Sequence, residues 1–294
     1  MVGLSWFVIA NNPFAKRETF SNNAITAYRV LTPISWLLVV VFGIFYSVRR
    51  PGDVPNGFTV WEQTHRNPTP FSQSTVVTGI FWIILLLSQL GYIANLFSSN
   101  PAKVTTAANV AGFYILNNLF VLAFILLWVR SMFWGAEIID IANLISQGIV
   151  YWKHQDLPLD IHLPAVAGPY AWTLSTLFWN GAVAVGGDNT AKRVVANIFI
   201  WVMFVFGQGH IARRADFAYG YSLSLLTLSL ALKQFSLKII SLQWIFAFVI
   251  FGVFFTSSLS TSVAKYHNRN FFFRSVAEPA ESTDRERQPL LSEE

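Results

Sequence analysis

Long runs of apolar residues, separated by short polar or charged segments, make up most of the chain. A helix needs about 20 apolar residues to cross the hydrocarbon core of a bilayer. Measured against that length, the pattern predicts an all-α, polytopic transmembrane helix bundle with about eight spans and no soluble domain. The predicted spans, numbered one to eight, are Arg29–Val48, Thr75–Phe97, Thr106–Val129, Met132–Trp152, Pro164–Val185, Lys192–Ala212, Phe217–Lys233 and Lys238–Ser262.

Two segments interrupt this regular pattern. The seventh span is short and rich in serine, so it is either a full span or a re-entrant helix. Its serines could bond to carbonyls of their own helix or allow close packing against a neighbour. The longest connection, residues 49–74, is rich in Pro, Gly, Asn and Thr and has no periodic apolar stripe, which predicts an ordered or semi-ordered surface loop.

Charge and composition divide the chain into three parts. We expect a cytosolic N-terminal segment at 1–28, the helix bundle at 29–262, and a cytosolic, partly disordered tail at 263–294. With both ends on one side of the membrane, that side carries twelve of the 20 Lys and Arg residues and the other side eight. Because Lys and Arg accumulate on the cytosolic side, this distribution favours cytosolic ends.

Composition supports a membrane protein and excludes several kinds of chemistry. The chain is 54% hydrophobic and 12% charged, whereas soluble domains carry about 25% charged residues. Its basic residues flank apolar segments, where they contact anionic headgroups, so the pI of about 9.5 does not indicate nucleic-acid binding. There is no cysteine, the five histidines are scattered, and no nucleophile elbow, zinc motif or phosphate loop occurs. We therefore expect no metal and no cofactor, and the sequence does not indicate an enzyme.

The fourth span contains the strongest candidate site. Glu137, Asp140, Asn143, Gln147 and Tyr151 fall within about one third of the helix circumference. Two carboxylates one turn apart are costly inside a membrane and indicate a function, here a proton- or cation-responsive site. In the alternative interpretation they lie near the interface, paired with Arg130 or solvated by headgroups. The sequence leaves both interpretations open.

The third span places Asn117 and Asn118 at the middle of the membrane. Their amides could link helices through hydrogen bonds worth about 0.6 to 2 kcal/mol, or they could contact a ligand. With these amides available across the helix pair, we expect Glu137 and Asp140 to titrate as a unit at one end of a cavity lined by spans three and four.

Two short motifs lie near the ends of the chain. Glu286, Leu290 and Leu291 have the spacing of an acidic dileucine signal, which a clathrin adaptor reads through a charge and an apolar pocket. This predicts an endomembrane protein, most simply of the vacuolar membrane. Asn12-Pro13-Phe14 resembles a tripeptide that endocytic adaptors bind, but a lone match is common by chance and an ordinary Asn-Pro turn explains it better.

Several longer segments together resemble one protein family. They are Asn12-Pro-Phe-Ala-Lys-Arg-Glu18, Gln89-Leu-Gly-Tyr92, Leu116-Asn-Asn-Leu119, Leu126-Leu-Trp-Val-Arg-Ser131, Arg193-Val-Val-Ala-Asn-Ile-Phe-Ile-Trp201, Leu242-Gln-Trp-Ile-Phe-Ala-Phe-Val249 and Pro289-Leu-Leu291. Across about residues 12 to 291 the chain is similar to the fungal multi-spanning membrane proteins grouped as DUF1774. The resemblance implies a fungal source and implies no mechanism.

Two functions are compatible with these observations. Carboxylates and amides on one face inside a bundle favour a small-solute or ion transporter. The two adaptor-type motifs, and the lack of a recognisable catalytic group, favour a non-catalytic membrane adaptor or an assembly or trafficking protein. A lipid-modifying enzyme is a third and weaker interpretation. The bilayer is the one partner that the sequence indicates directly, and it does not identify a ligand.

Overall fold

The computed structural model describes residues 12–55, 57–186, 190–238 and 242–267, and within these ranges the chain is helical and contains no strand. The helices are α1 (Asn22–Val48), α2 (Val60–Arg66), α3 (Thr75–Asn95), α4 (Pro101–Trp128), α5 (Phe133–Lys153), α6 (159–185), α7 (Thr190–Arg214), α8 (Phe217–Leu237) and α9 (Gln243–His267). Helix α6 is π-helical over Leu163–Ala167 and α-helical on both sides of that segment. The predicted all-α fold class is confirmed.

Each predicted span corresponds to one long helix, in the same order. The largest differences are at the starts of α1, α4 and α6, which precede the predicted starts by five to seven residues, and at α9, which begins and ends five residues later than predicted. Helices α1 and α4 both begin at a capping side chain, because Ser21 Oγ accepts from the amide of Ala24 and Asn100 Oδ1 accepts from the amide of Ala102. Such caps satisfy the first backbone N–H groups, so these helices extend into polar sequence beyond the apolar run.

Five of the described helices are long and apolar enough to cross a membrane: α1, α3, α4, α7 and α9. Helices α5, α6 and α8 contain more polar residues, which lie mostly on buried faces. The five helices support an integral membrane protein. That all eight long helices cross the bilayer stays a prediction.

Helix α6 occupies the centre of the bundle. It packs against α3, α4, α5, α7 and α8, and most of its side chains from Gly168 onward are buried. The outer helices instead expose large apolar side chains. On α5, for example, Ile138, Ile141, Ile145 and Ile149 are 45 to 65% exposed, whereas Asp140 on the opposite face is buried. This arrangement puts apolar residues where lipid is expected and polar residues inside.

The helix ends lie at two opposite faces of the bundle. At the N-segment face, residues 12–20 contact the start of α4 and the end of α5, as in the hydrogen bonds of Asn109 with the backbone of Arg17 and of Lys153 with the carbonyl of Phe14. At the loop face, the connection after α1 meets the end of α4, where Arg130 Nε lies 2.8 Å from Asp53 Oδ2. Successive long helices run between these faces in alternating directions.

Residues 67–74, which we call the plug, close the loop face. Phe71, Ser72 and Gln73 in this segment are buried. The side chain of Gln234 donates to the carbonyls of Thr69 (2.9 Å) and Ser72 (3.2 Å). The segment predicted as a surface loop therefore includes a short helix, α2, and a buried plug. Amide side chains satisfy the plug's carbonyls, which allows irregular backbone to be buried.

Helices α8 and α9 pack closely along their length. A Cβ atom at Gly220 of α8 would collide with Ser258 Oγ of α9, so only glycine allows this approach. The hydroxyls of Ser222 and Thr227 donate to carbonyls four residues earlier in α8. The serine-rich seventh span is thus a continuous 21-residue helix, and these two hydroxyls are satisfied within it.

Candidate functional site

Glu137 lies on the inward face of α5 and points at α6. Its Oε2 accepts a hydrogen bond of 2.7 Å from Asn180 Nδ2, which also donates to the carbonyl of Phe133. Gly181 lies directly beneath this carboxylate, and a Cβ atom there would come within 2.9 Å of Glu137 Oε1. The missing side chain at Gly181 thus makes room for the Glu137 carboxylate against α6.

Asp140, one turn further along α5, is more deeply buried. The residue is 4% exposed, its Oδ2 has no hydrogen-bond partner, and the hydroxyl of Thr176 on α6 interacts with the carboxylate. Arg130 does not neutralise either carboxylate; its guanidinium instead binds Asp53 and the carbonyl of Leu126. The alternative in which Arg130 pairs with Glu137 or Asp140 is therefore not supported by the structure.

Asn143 joins three helices at the middle of the bundle. Its Nδ2 donates to Asn117 Oδ1 on α4 (3.0 Å) and to Thr173 Oγ1 on α6 (3.2 Å). One turn further, Gln147 is fully buried and neither atom of its amide has a hydrogen-bond partner. Unpartnered amide atoms in such a place are costly and call for an explanation.

Asn118 has a different role from its neighbour Asn117. Its Nδ2 donates to Ser35 Oγ on α1 at 3.1 Å, and that hydroxyl donates to the carbonyl of Thr32. Asn118 therefore links α4 to α1 on the side away from α5. Of the two predicted asparagines, the structure brings Asn117 to the site and places Asn118 outside it.

The polar face of α5 ends in a cluster of aromatic residues near the N-segment face. The Tyr151 ring lies 5.1 to 5.5 Å from the rings of Tyr170, Tyr219 and His210, which belong to three other helices. His210 Nδ1 lies 2.8 Å from the carbonyl of Phe206, so Nε2 is assigned as the acceptor from the Tyr170 hydroxyl at 3.3 Å. The hydroxyls of Tyr151 and Tyr219 are buried without a partner.

A histidine–aspartate pair lies beside this cluster. His162 Nε2 is 2.7 Å from Asp216 Oδ2, and Asp216 Oδ1 caps α8 by accepting from the amide of Tyr219. Burial raises the pKa of Asp216, but the hydrogen bond and charge of His162 outweigh it, so this pKa lies below its ordinary value. No local sequence pattern indicates this cluster, because its members are far apart along the chain and come from four helices.

Together, the inward side chains of α5 form a polar file: Glu137, Asp140, Asn143, Gln147 and Tyr151. Fourteen residues of helix separate its ends, or about 21 Å, which is most of the thickness of the hydrocarbon core. The Thr173, Thr176 and Asn180 side chains of α6 face it. These three recur at helical spacing in the sequence, which indicates a shared polar face on α6 but does not indicate which helix that face meets.

The file is closed to solvent in this structure, because Asp140, Asn143, Gln147 and Tyr151 are buried. Two cavities, of about 330 and 80 Å³, lie elsewhere in the described part of the bundle, and no residue of the file lines either of them. A cavity between α4 and α5 stays a prediction. Within the described ranges, no three His, Cys, Asp or Glu side chains group in a way that could hold a metal ion.

The two predicted adaptor motifs have different outcomes. Asn12 Oδ1 accepts from the amide of Phe14 (2.9 Å), and the Phe14 ring packs on Phe113 of α4 with centroids 4.9 Å apart. Asn12-Pro13-Phe14 thus forms a turn folded against the bundle. The dileucine motif of Glu286, Leu290 and Leu291 lies outside the described residues.

Comparison with known proteins gives one match. Residues 193–291, the C-terminal third of the chain, match the sequence model of DUF1774, described as a fungal protein of unknown function. This confirms the family resemblance over α7 to α9 and the following tail. No curated protein and no solved structure shows detectable similarity to the chain.

Proposed function

We propose that this protein, with its DUF1774 match over α7 to α9, is a small-solute or ion transporter in which Glu137 and Asp140 bind the proton. The observation that carries the proposal is the polar file on α5, in which one buried carboxylate oxygen, Asp140 Oδ2, and the fully buried amide of Gln147 lack hydrogen-bond partners. Ionisable groups inside a membrane are costly and are typical of ion and proton pathways.

The two carboxylates have different surroundings. Glu137 accepts a hydrogen bond from the Asn180 amide and occupies the space beside Gly181. Asp140 has an unpartnered oxygen and no cation to offset a charge, so its surroundings favour a bound proton. The proposal therefore places the proton on these two carboxylates, one turn apart.

A transporter must open to admit a solute, and the closed packing of the file is compatible with the closed state of such a protein. The π-helical segment Leu163–Ala167 of α6 provides a place where the central helix departs from regular geometry, and such segments occur frequently at functional sites. The close contact of Glu137 with Gly181 couples the position of α6 to the carboxylate.

Proton flux into liposomes tests the proposal. The full-length protein is reconstituted with a trapped pH-sensitive dye, and a potassium diffusion potential drives protons inward. We expect Glu137→Gln and Asp140→Asn each to reduce the flux to background, and Gly181→Ala to reduce it by displacing Glu137. Gly148→Ala on α5 is the matched control, because its Cβ would meet Tyr170 at an ordinary 3.6 Å.

Expression and localisation of the carboxylate variants distinguish a functional role of Glu137 and Asp140 from a structural one. If both carboxylate variants fail to express, the pair stabilises the fold; if flux is unchanged in both, the transport proposal is wrong.

A membrane adaptor is the second candidate, and the closed packing of the file favours it. Wild-type protein that conducts no protons and carries no solute but is retained by an adaptor through its tail would support that function.

We also propose that the tail directs the protein to endomembranes, most simply the vacuolar membrane. The acidic dileucine motif supports this address. Replacing Leu290 and Leu291 with alanine should send a fluorescent fusion to the plasma membrane or the Golgi, whereas Pro289→Ala should not. An unchanged distribution of the Leu290/Leu291 double variant would exclude the signal.

A further inference from the structure

An apolar groove runs along the outside of the bundle between α3, α6 and α8. Its volume is about 330 Å³, and its lining includes Phe81, Ile84, Leu85, Leu163 and Leu225. Ile84, 52% exposed, places the rim of the groove on the outward surface of α3. In a helix bundle that faces lipid, a groove of this kind is open to acyl chains rather than to water.

Glycine and the π-helical segment shape the groove. Leu163, the first residue of that segment, and Gly168, which directly follows it, both line the groove. A Cβ atom at Gly168 would lie 2.6 Å from Leu85 Cδ1, so α3 and α6 approach closely there. The departure from α-helical geometry thus coincides with the groove.

A second, polar cavity adjoins the groove at the N-segment face. It measures about 80 Å³ and shares Leu159, Phe217 and Ala218 with the groove. Its charged lining is Arg214, Lys265 and the His162–Asp216 pair. Because Asp216 is engaged by His162, the cavity offers two cations to a ligand and one carboxylate that is already hydrogen-bonded.

The cationic groups are positioned by aromatic residues. Arg214 donates to the carbonyl of Tyr151, and its guanidinium lies 4.5 Å from the Tyr151 ring centroid. Lys265 Nζ lies 5.3 Å from the ring centroid of Phe217, one of the three residues that line both cavities. His162, 9% exposed, adds a buried Nδ1 without a partner. A guanidinium held in this way, with further N–H groups to donate, is suited to a phosphate.

We propose that the groove and the polar cavity form one binding site for an anionic phospholipid. The acyl chain lies in the apolar groove, and the phosphate contacts Arg214 and Lys265 at the N-segment face. The apolar groove continues into the cation-lined polar cavity, and these two parts match the acyl chain and the phosphate of such a lipid. Basic pockets between membrane helices bind anionic headgroups in this way. The proposal does not depend on proton transport.

Lipid retention measures the site directly. Purified full-length protein in detergent is incubated with equal amounts of phosphatidylglycerol and phosphatidylcholine, passed through gel filtration, and analysed by native mass spectrometry. We expect wild-type protein to retain phosphatidylglycerol about tenfold over phosphatidylcholine. Arg214→Gln combined with Lys265→Gln should abolish this preference. Arg213→Gln combined with Lys103→Gln removes the same charge at the same face and should leave it intact.

Variants that fill the groove test the contribution of the acyl chain separately from that of the headgroup. Ala218→Leu and Ser222→Leu each place a larger side chain in the groove lining and should reduce retention of both lipids. Inorganic phosphate at millimolar concentration should not displace the bound lipid if the acyl chain contributes. If the Arg214 variant fails to fold, Lys265→Gln alone and the two groove variants still decide the outcome. Equal retention of the two lipids by wild-type protein, or unchanged retention in the groove variants, would overturn the proposal.

Discussion

His154 directly follows α5, and its ring packs against Phe113 of α4, with ring centroids 6.4 Å apart. The residue is 3% exposed, and its Nε2 has no hydrogen-bond partner. Burial, together with the charges of Lys153 and Lys16, lowers the pKa of His154 to about 4. The imidazole is therefore neutral in the folded protein at pH values where the unfolded chain already carries a proton there.

This difference predicts a loss of stability in mild acid. Between pH 6.5 and pH 4 the unfolded state binds a proton at His154 and the folded state does not, so stability falls as the pH is lowered through that window. At pH 5 the effect amounts to about 2 kcal/mol. His154→Gln should show a smaller drop in melting temperature between pH 7.5 and pH 5 than wild-type protein. His65→Gln, an exposed position on α2, is the control; an identical drop in all three proteins would contradict the assignment.

For single residues, the sequence predicted the face of α5 but not its partners. Helical periodicity alone places Asp140, Asn143 and Gln147 together, and the structure buries all three. Which helix lies opposite depends on packing, which periodicity does not contain. Thr176 and Asn180 of α6 are common residues in a helix, so they become conspicuous only when the fold brings them to the carboxylates.

For whole elements, apolar run length identified every long helix that the structure describes, within a few residues at most ends. The rule fails where backbone groups are satisfied by something other than a regular helix. At Ser21 and Asn100 capping side chains begin helices early, and in the plug distant amides such as Gln234 support irregular backbone. Contacts between residues more than 150 positions apart leave no local pattern in a sequence.

The plug gives a stability prediction of its own. Gln234→Leu removes the amide that donates to the carbonyls of Thr69 and Ser72 and leaves both without that partner. The free energy of unfolding should fall by about 1 to 3 kcal/mol, measured as a lower melting temperature in detergent. Gln155→Leu is the control, since that exposed side chain donates only to the carbonyl of Trp152 three residues away. Equal melting temperatures for the two variants would show that the plug is not held by Gln234.

For the whole molecule, alternating helix directions together with the twelve-to-eight distribution of Lys and Arg predict that both ends of the chain face the cytosol. Epitope tags at the two ends should both be digested by protease added to sealed, right-side-out microsomes with the cytosolic face exposed. A tag inserted after Gly52, at the loop face, should be protected. If one end tag is digested and the other is protected, one long helix does not cross the membrane, and α8 is the first candidate.

The close packing of α8 on α9 has a consequence for how the chain is made. Helix α8 is less apolar than the five helices that could insert on composition alone, and Gly220 brings its backbone against Ser258 of α9. A ribosome releases α8 before α9, so for a short interval the nascent chain holds a marginally apolar segment without its partner. We therefore predict that insertion of α8 is coupled to synthesis of α9, so that the pair enters the bilayer as a helical hairpin. A chain that terminates between these helices should then lose α8 as well as α9 from the membrane.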